Sequence, residues 1–560
     1  MAVKEGKKFP TFQKKQMMNH PLSKINKTLH GLSVMTVCCC LASCNLSKST
    51  SPAAVSFESI IPKPVSSVAS GKTFLMRKET TIGITPATEE MTVIGKYLAG
   101  NLKPSTGFDF LVSEVSGAPA PGSIVLTTVG GEAKLGNEGY ELTITEDQIK
   151  LVANKPAGLF LGIQTLRQLL PAKIEEKTAQ EGPWEIATGI ITDYPGYAWR
   201  GAMLDVARHF FTVEEVKKFV DLIAYYKMNV MHLHLSDDQG WRIEIKSWPN
   251  LATLGGKTQV GGGKGGYYTQ EQYADIVAYA QRQYIMVVPE IDLPGHINAA
   301  LASYAELNVG IPINPEPGSQ VGAKPTAGVV YTGMEVGFST LSLKKETTFK
   351  FVDDVLRELA AMTPGPYLHI GGDEAAVTKK EDYIVFINRF QEMVKAHGKQ
   401  MIGWEDIAQA DIGAPTLAQH WHSSELGQMA IGKGAKLIMS TAKKAYLDMK
   451  YDSTTKLGQN WAAYIEVDDA YNWDPATEIE GVAREQILGL EDALWTETIK
   501  SMDDVEYMIF PRLPASAEIA WTPASERKWD NFKVRLGNHG KRWKVMGINF
   551  YRSARVPWVE

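Results

Sequence analysis

The chain has 560 residues, 44% of them hydrophobic and 22% charged, with a formal net charge of -5. That length exceeds one small core and points to two or three domains. The charge balance, with no long basic block beyond the first 44 residues, excludes nucleic acid as a natural partner. All four cysteines, Cys38, Cys39, Cys40 and Cys44, lie near the start, which leaves the remainder without a disulfide framework or a cysteine-based metal site.

In chain order, residues 1–44 combine a Lys-rich lead with an apolar run from Gly31 to Ala42, too short to span a bilayer as a helix. The run ends in Leu41-Ala42-Ser43-Cys44, which resembles the bacterial lipoprotein signal whose cysteine becomes the lipidated first residue. Such a lipid on Cys44 would anchor an exported protein to an envelope membrane. The alternative is an ordinary secretory signal cut near Ala42. Residues 45–60 are small and polar and read as a flexible tether. Between 61 and 192 short apolar runs such as Ser123–Val129 and Tyr140–Ile144 precede a helical pattern over Gly158–Leu170. This predicts a small α+β domain that supports rather than catalyses.

From 193 to 555 strand-like and helix-like segments alternate, the pattern of repeated βα units and a parallel sheet. Strands are expected at 199–206, 229–235, 285–291, 366–371, 400–404, 417–421, 436–440 and 487–495, with helices at 213–226, 270–283, 345–362 and 382–397. Eight such strands predict an α/β fold of the (β/α)8 TIM-barrel type, whose chemistry collects at the C-terminal ends of the strands. A doubly wound sheet would instead need a glycine-rich phosphate loop after its first strand. The glycine-rich stretch 255–266 lacks that spacing and reads as a mobile surface loop.

Seven of the expected strands close on polar or aromatic residues. The fourth carries Tyr367-Leu368-His369-Ile370-Gly371-Gly372-Asp373-Glu374. Neighbouring side chains on a regular strand point to opposite faces. Gly371 and Gly372 let the backbone leave that geometry and aim both acids into one pocket. Close carboxylates separate in pKa, which suits one ionised member and one proton donor. His232, His234, Asp237, His296, Asp373 and Glu374 could also supply metal ligands. The surrounding tryptophans and Arg200 favour a sugar-binding ring over a metal site.

These residues carry a resemblance. Arg200-Gly201 with Asp205 and Arg208-His209-Phe210, His234–Arg242, Pro289–His296, His369–Glu374, Gly403–Glu405, Tyr446-Leu447-Asp448 and Trp495-Thr496-Glu497 resemble the motifs of family 20 glycoside hydrolases, the β-N-acetylhexosaminidases, from about residue 60 to 550. The resemblance implies exo-acting removal of terminal N-acetylglucosamine or N-acetylgalactosamine. Stereochemistry would be retained through the substrate's own 2-acetamido group, with no cofactor or metal. It implies Glu374 as general acid and base, and Asp373 and Tyr446 as the residues that hold the acetamido group. It further implies that Asp237 and His296 would form a relay behind Glu374, with Asp238 the alternative partner for His296. By the same resemblance Arg200, Asp238, Asp448 and Glu497 would grip the sugar between Trp404, Trp421 and Trp495. His420 and the insert-like segment 297–343 are departures expected to reshape the pocket mouth. The rivals are a lacto-N-biosidase that releases a disaccharide and a lipoprotein that binds glycans without cleaving them.

Overall fold

The computed structural model describes residues 57–308, 314–315, 322–323 and 328–560. The expected signal segment with Cys44, and tether residues 45–56, lie outside the described residues; residues 57–60 are not a free tether, because Phe57 and Ile60 are buried in the core and the Ile60 carbonyl accepts from Arg535 at 2.9 Å.

Seven strands, Ser66–Met76, Ile82–Thr85, Val112–Glu114, Ser123–Thr127, Tyr140–Ile144, Gln148–Ala153 and Trp184–Asp193, form one mixed sheet. Tyr140, Leu142 and Ile144 are buried while the residues between them are partly exposed, the period of two that a sheet with one covered face requires. Helices Glu89–Thr106 and Pro156–Leu169 pack against the sheet and against each other.

The second domain is a closed barrel of eight parallel strands: Trp199–Asp205, Val230–His234, Met286–Glu290, Tyr367–His369, Gln400–Trp404, Leu417–His420, Lys436–Met439 and Ile487–Leu494. The expected α/β TIM barrel is therefore observed, each strand overlapping its sequence assignment. Helix Val213–Tyr225 starts with a capping box between Thr212 and Glu215 and buries Val216, Phe219, Val220 and Ile223, the spacing of one apolar face. Helices Gln270–Gln281, Glu346–Met362 and Lys380–Ala396 follow the next three strands. Between the fifth and sixth strands there is only a 3-10 turn, Glu405–Gln409. The barrel floor is apolar, a cluster of Trp199, Val230, Val288, Ile402, Leu417 and Ile438.

The two domains meet across buried charge. Lys227, wholly buried, places its Nζ 2.9 Å from Asp193 Oδ2, and Asp193 also accepts from Tyr140 Oη at 2.6 Å and Trp521 Nε1 at 2.7 Å. Breaking such a pair strands a charge in a dry interior, which costs about 3–5 kcal/mol. Lys227→Met is accordingly expected to lower the unfolding free energy by about 3–5 kcal/mol in denaturant titrations. A loss below about 1 kcal/mol would show that Asp193 is satisfied without the lysine.

Candidate active site

The fourth barrel strand ends at His369, and the backbone then turns through Gly371 (φ 68°) and Gly372 (φ 104°) before Asp373 and Glu374. A Cβ on Gly371 would stand 1.8 Å from Asp292 Oδ1, the oxygen that accepts Gly372 N–H at 3.0 Å. Glycine is thus required there by both conformation and space. Glu374 adopts φ 44° and His296 φ 49°, left-handed conformations that bulky residues hold only where surrounding structure enforces them.

Both acids face one cavity of about 320 Å³, which Arg208, His296, Tyr446, Trp421, Trp495 and Glu497 also line. A chain of contacts runs behind them. His296 Nε2 lies 3.4 Å from Glu374 Oε2 and 3.7 Å from Asp373 Oδ2, while its Nδ1 lies 3.3 Å from Asp237 Oδ1. Asp237 Oδ2 receives Arg208 Nη2 at 2.7 Å and His234 Nε2 at 3.0 Å. Deeper in the barrel Glu290 accepts from His234 Nδ1 at 2.5 Å and Trp404 Nε1 at 2.9 Å. His232 bridges Glu290 at 3.0 Å and Glu491 at 2.8 Å. His232, Glu290 and His369 bring three ligand-type atoms within 4.8 Å of one another, but the carboxylate oxygens are already engaged by these donors.

Burial lifts the Asp373 carboxyl to about 6, opposed by the charge of His296 and reinforced by Glu374. Burial also pushes Glu374 upward, but its hydrogen bond to His296 and the charge of that ring bring it below the usual glutamate range. For His296 burial works against protonation and is overcome by Asp237 and Asp292, which hold it well above an ordinary imidazole. The site therefore keeps a proton on His296 and, below about pH 6, one on Asp373, with Glu374 the readier of the two acids to ionise.

The same ladder sets a pH dependence of stability. Burial depresses His232, yet Glu491 and Glu290 raise it to about 9, against about 6.5 in an unfolded chain. A raised histidine contributes stability that is complete below pH 6.5 and lost as pH rises through 9, about 3 kcal/mol for a shift of this size. His234 and His296, also raised, act in the same direction. Scanning calorimetry is expected to show the unfolding midpoint falling between pH 6.5 and 9; a flat or rising midpoint would contradict a protonated ladder.

The structure brings Glu374, Asp373, Tyr446, His296, Trp421, Trp495 and Glu497 to the cavity, with Asp237 directly behind His296. Asp448 is buried close by, both carboxylate oxygens unpartnered among the described residues, and burial, reinforced by the charge of Glu497, holds its carboxyl well above the usual aspartate range. Trp404 lies a layer lower, fully buried, its ring 5.7 Å from that of Trp495.

Four expectations need correction. Arg200 does not reach the cavity: it stands at the start of the first strand and pairs with Glu138 of the N-terminal domain at 2.6 Å. Arg208, beyond the end of that strand, lines the pocket instead, lying 2.7 Å from Asp237 and 4.0 Å from Glu497, over the ring of Trp495. Asp238 is not a sugar ligand either. It turns away from Asp237 and accepts from Asn298 N–H at 2.9 Å and Ser339 Oγ at 2.5 Å, anchoring the segment after the third strand. His420 is buried against Glu405 and does not border the mouth; His422, its ring tilted against that of Trp421, does. The glycine-rich stretch is no free loop. Gly256 and Gly266 carbonyls accept from Arg242, and Gly261 N–H donates to Thr332.

Sequence inspection also left Gln459, Trp461, Met334 and Val336 unassigned, all of which line the cavity. Met334 and Val336 belong to the 297–343 segment, which thereby borders the pocket as expected.

Comparisons with known proteins agree with this geometry. The catalytic domain of glycosyl hydrolase family 20 matches residues 197–524, and domain 2 of that family matches residues 58–194. A β-N-acetylhexosaminidase of Cellulomonas fimi is 39% identical over 503 residues, covering 89% of this chain and 97% of its own length. The structure of a family 20 β-N-acetylhexosaminidase from Streptomyces coelicolor superposes with a TM-score of 0.84 at 47% identity, covering 90% of this chain and 99% of that one. A variant Streptomyces plicatus β-hexosaminidase in complex with its product GlcNAc gives the same TM-score of 0.84 at 47% identity, with coverage of 90% and 98%. With both domains matched in order and the paired carboxyls at the end of the fourth strand, the chain belongs to glycosyl hydrolase family 20 and is a glycoside hydrolase.

Proposed function

We propose that this protein is an exo-acting β-N-acetylhexosaminidase that cleaves terminal N-acetylglucosamine or N-acetylgalactosamine from glycans with retention. The observation that carries the proposal is the Asp373–Glu374 pair, backed by His296 and Asp237 inside a cavity of about 320 Å³ walled by tryptophan. That volume suits one sugar ring, which favours release of a monosaccharide over a lacto-N-biosidase reaction.

In the first step the acetamido carbonyl oxygen attacks C1 as the C1–O bond to the leaving group breaks, and Glu374 gives its proton to the departing oxygen. The acetamido nitrogen becomes positive, and Asp373 accepts its N–H and offsets the charge. Tyr446, on the same cavity wall, donates to the acetamido oxygen and holds it in attacking position. Water then attacks C1, Glu374 takes its proton, and the C1–O bond to the acetamido group opens. Two inversions give net retention.

The proton arrangement set by the protein groups alone differs from the one this chemistry uses, and the substrate corrects it. An N–H donated to Asp373 favours its ionised form, while the aglycone covers the half-exposed Glu374 and raises it. Arg208, Glu497 and Asp448 supply donors and acceptors for the ring hydroxyls. Product analysis on chitobiose, a mucin glycan and an N-glycan tests the proposal: single N-acetylhexosamine should appear from the non-reducing end. Release of a disaccharide alone would overturn it.

We further propose that the chain is exported and lipid-anchored at Cys44, on the strength of the Lys-rich lead, the apolar run and Leu41-Ala42-Ser43-Cys44. Labelling with a palmitate analogue should mark the full chain, and Cys44→Ser should abolish both the label and the membrane fraction. An unlabelled, soluble wild-type protein would contradict the anchor.

A further inference from the structure

A second cavity, of about 600 Å³, opens where the N-terminal helix Glu89–Thr106 faces the barrel helices Val213–Tyr225 and Gln270–Gln281. Barrel helices run back against their strands, so the ends that supply Tyr225 and Tyr279 lie at the face of the barrel opposite Asp373 and Glu374. Tyr97, Tyr225 and Tyr279 wall the cavity, and the exposed Lys96, Lys177 and Arg282 stand around it. Among the described residues none of these three cations is in an ion pair.

Of the two acids lining the cavity, Glu175 is neutralised by cations and Asp221 is held by neutral donors. Glu175 binds Arg167 at 2.7 Å and Arg542 at 3.2 Å, and Asp221 accepts from Tyr279 Oη at 2.7 Å and Gln283 Nε2 at 2.6 Å. Three cations outside ion pairs thus stand against the one carboxylate of Asp221, whose donors are neutral, and the local excess charge is positive. Independently, Tyr225 is only 2% exposed and its hydroxyl has no hydrogen-bond partner. A buried hydroxyl left unpaired is unfavourable unless something in the cavity meets it.

We propose that this cleft is a secondary, non-catalytic binding site for an anionic saccharide, a sugar that carries a carboxylate or a sulfate. The cations meet the charge, the tyrosine rings face the apolar side of the sugar, and Tyr225 Oη meets a ring hydroxyl. The choice of a sugar rests on the glycan-hydrolase function proposed above. The test reads binding rather than turnover, so the two can fail separately. With one site on each face of the barrel, only a branched or polymeric acidic glycan gains from holding both at once.

Isothermal titration of the full chain with N-acetylneuraminic acid and with galactose 6-sulfate decides the matter, with galactose and inorganic sulfate as controls. Both anionic sugars should bind at least about tenfold more tightly than galactose, and Lys96→Glu/Arg282→Glu should weaken them by at least about tenfold. Tyr225→Phe, which removes one oxygen, should weaken them several-fold. Turnover of a small aryl glycoside should be unchanged in every variant, which also verifies folding. Equal binding of galactose, or anionic-sugar binding unaffected by the substitutions, would overturn the site. Sulfate binding as tightly as galactose 6-sulfate would reduce it to a bare anion site and overturn the saccharide assignment.

Discussion

Glu374→Gln is expected to lower kcat on chitobiose by about 10²–10⁴-fold, the range general acid catalysis supplies. The loss should depend on the leaving group. An alkoxide leaves poorly without a proton, whereas a nitrophenolate leaves unaided, so a p-nitrophenyl glycoside should retain much more of its first-step rate. The amide still fills the space next to His296 Nε2, 3.4 Å away in the wild type, so the fold and the sugar pocket should survive. Pre-steady-state kinetics on the two substrates measure the contrast. Equal losses on both would mean that Glu374 does not protonate the leaving oxygen.

Asp373→Asn is expected to cost about 10²–10³-fold in kcat, the scale of removing one preorganised electrostatic partner from a developing charge. Here the loss should be the same for chitobiose and for the nitrophenyl glycoside, because Asp373 serves the acetamido group and not the leaving oxygen. Asparagine keeps an acceptor for the N–H, so KM should move little while kcat falls. A variant with near-normal kcat would remove Asp373 from the mechanism. Neighbours in sequence, the two acids are thus separable by one substrate comparison.

Much of the fold is legible in the sequence because each barrel strand is a short apolar run ended by a polar or glycine-rich break. The pattern places Trp199–Asp205 or Gln400–Trp404 within a residue or two. The paired acids are legible for a local reason too, since Gly371-Gly372 marks where the strand must bend. Contacts across the barrel are not legible. His232 meets Glu491 across 259 residues, and no spacing along the chain announces it. Arg200 and Arg208 sit in one motif, and choosing between them requires knowing that the strand closes at Asp205. The rule that chemistry gathers at strand C-termini favours Arg208. Asp237 and Asp238 are a similar case: adjacent side chains diverge, one to His296 and the other to the backbone of Asn298.

The central claim is that the substrate's acetamido oxygen is the nucleophile. Its most direct test is kcat/KM on aryl glycosides whose N-acetyl group carries zero, one, two or three fluorines. Each fluorine withdraws electrons from the carbonyl oxygen while leaving the sugar and leaving group unchanged. Substrate-assisted catalysis predicts a fall with every fluorine added. Rates independent of fluorination would contradict it and return the nucleophile to a side chain of the protein.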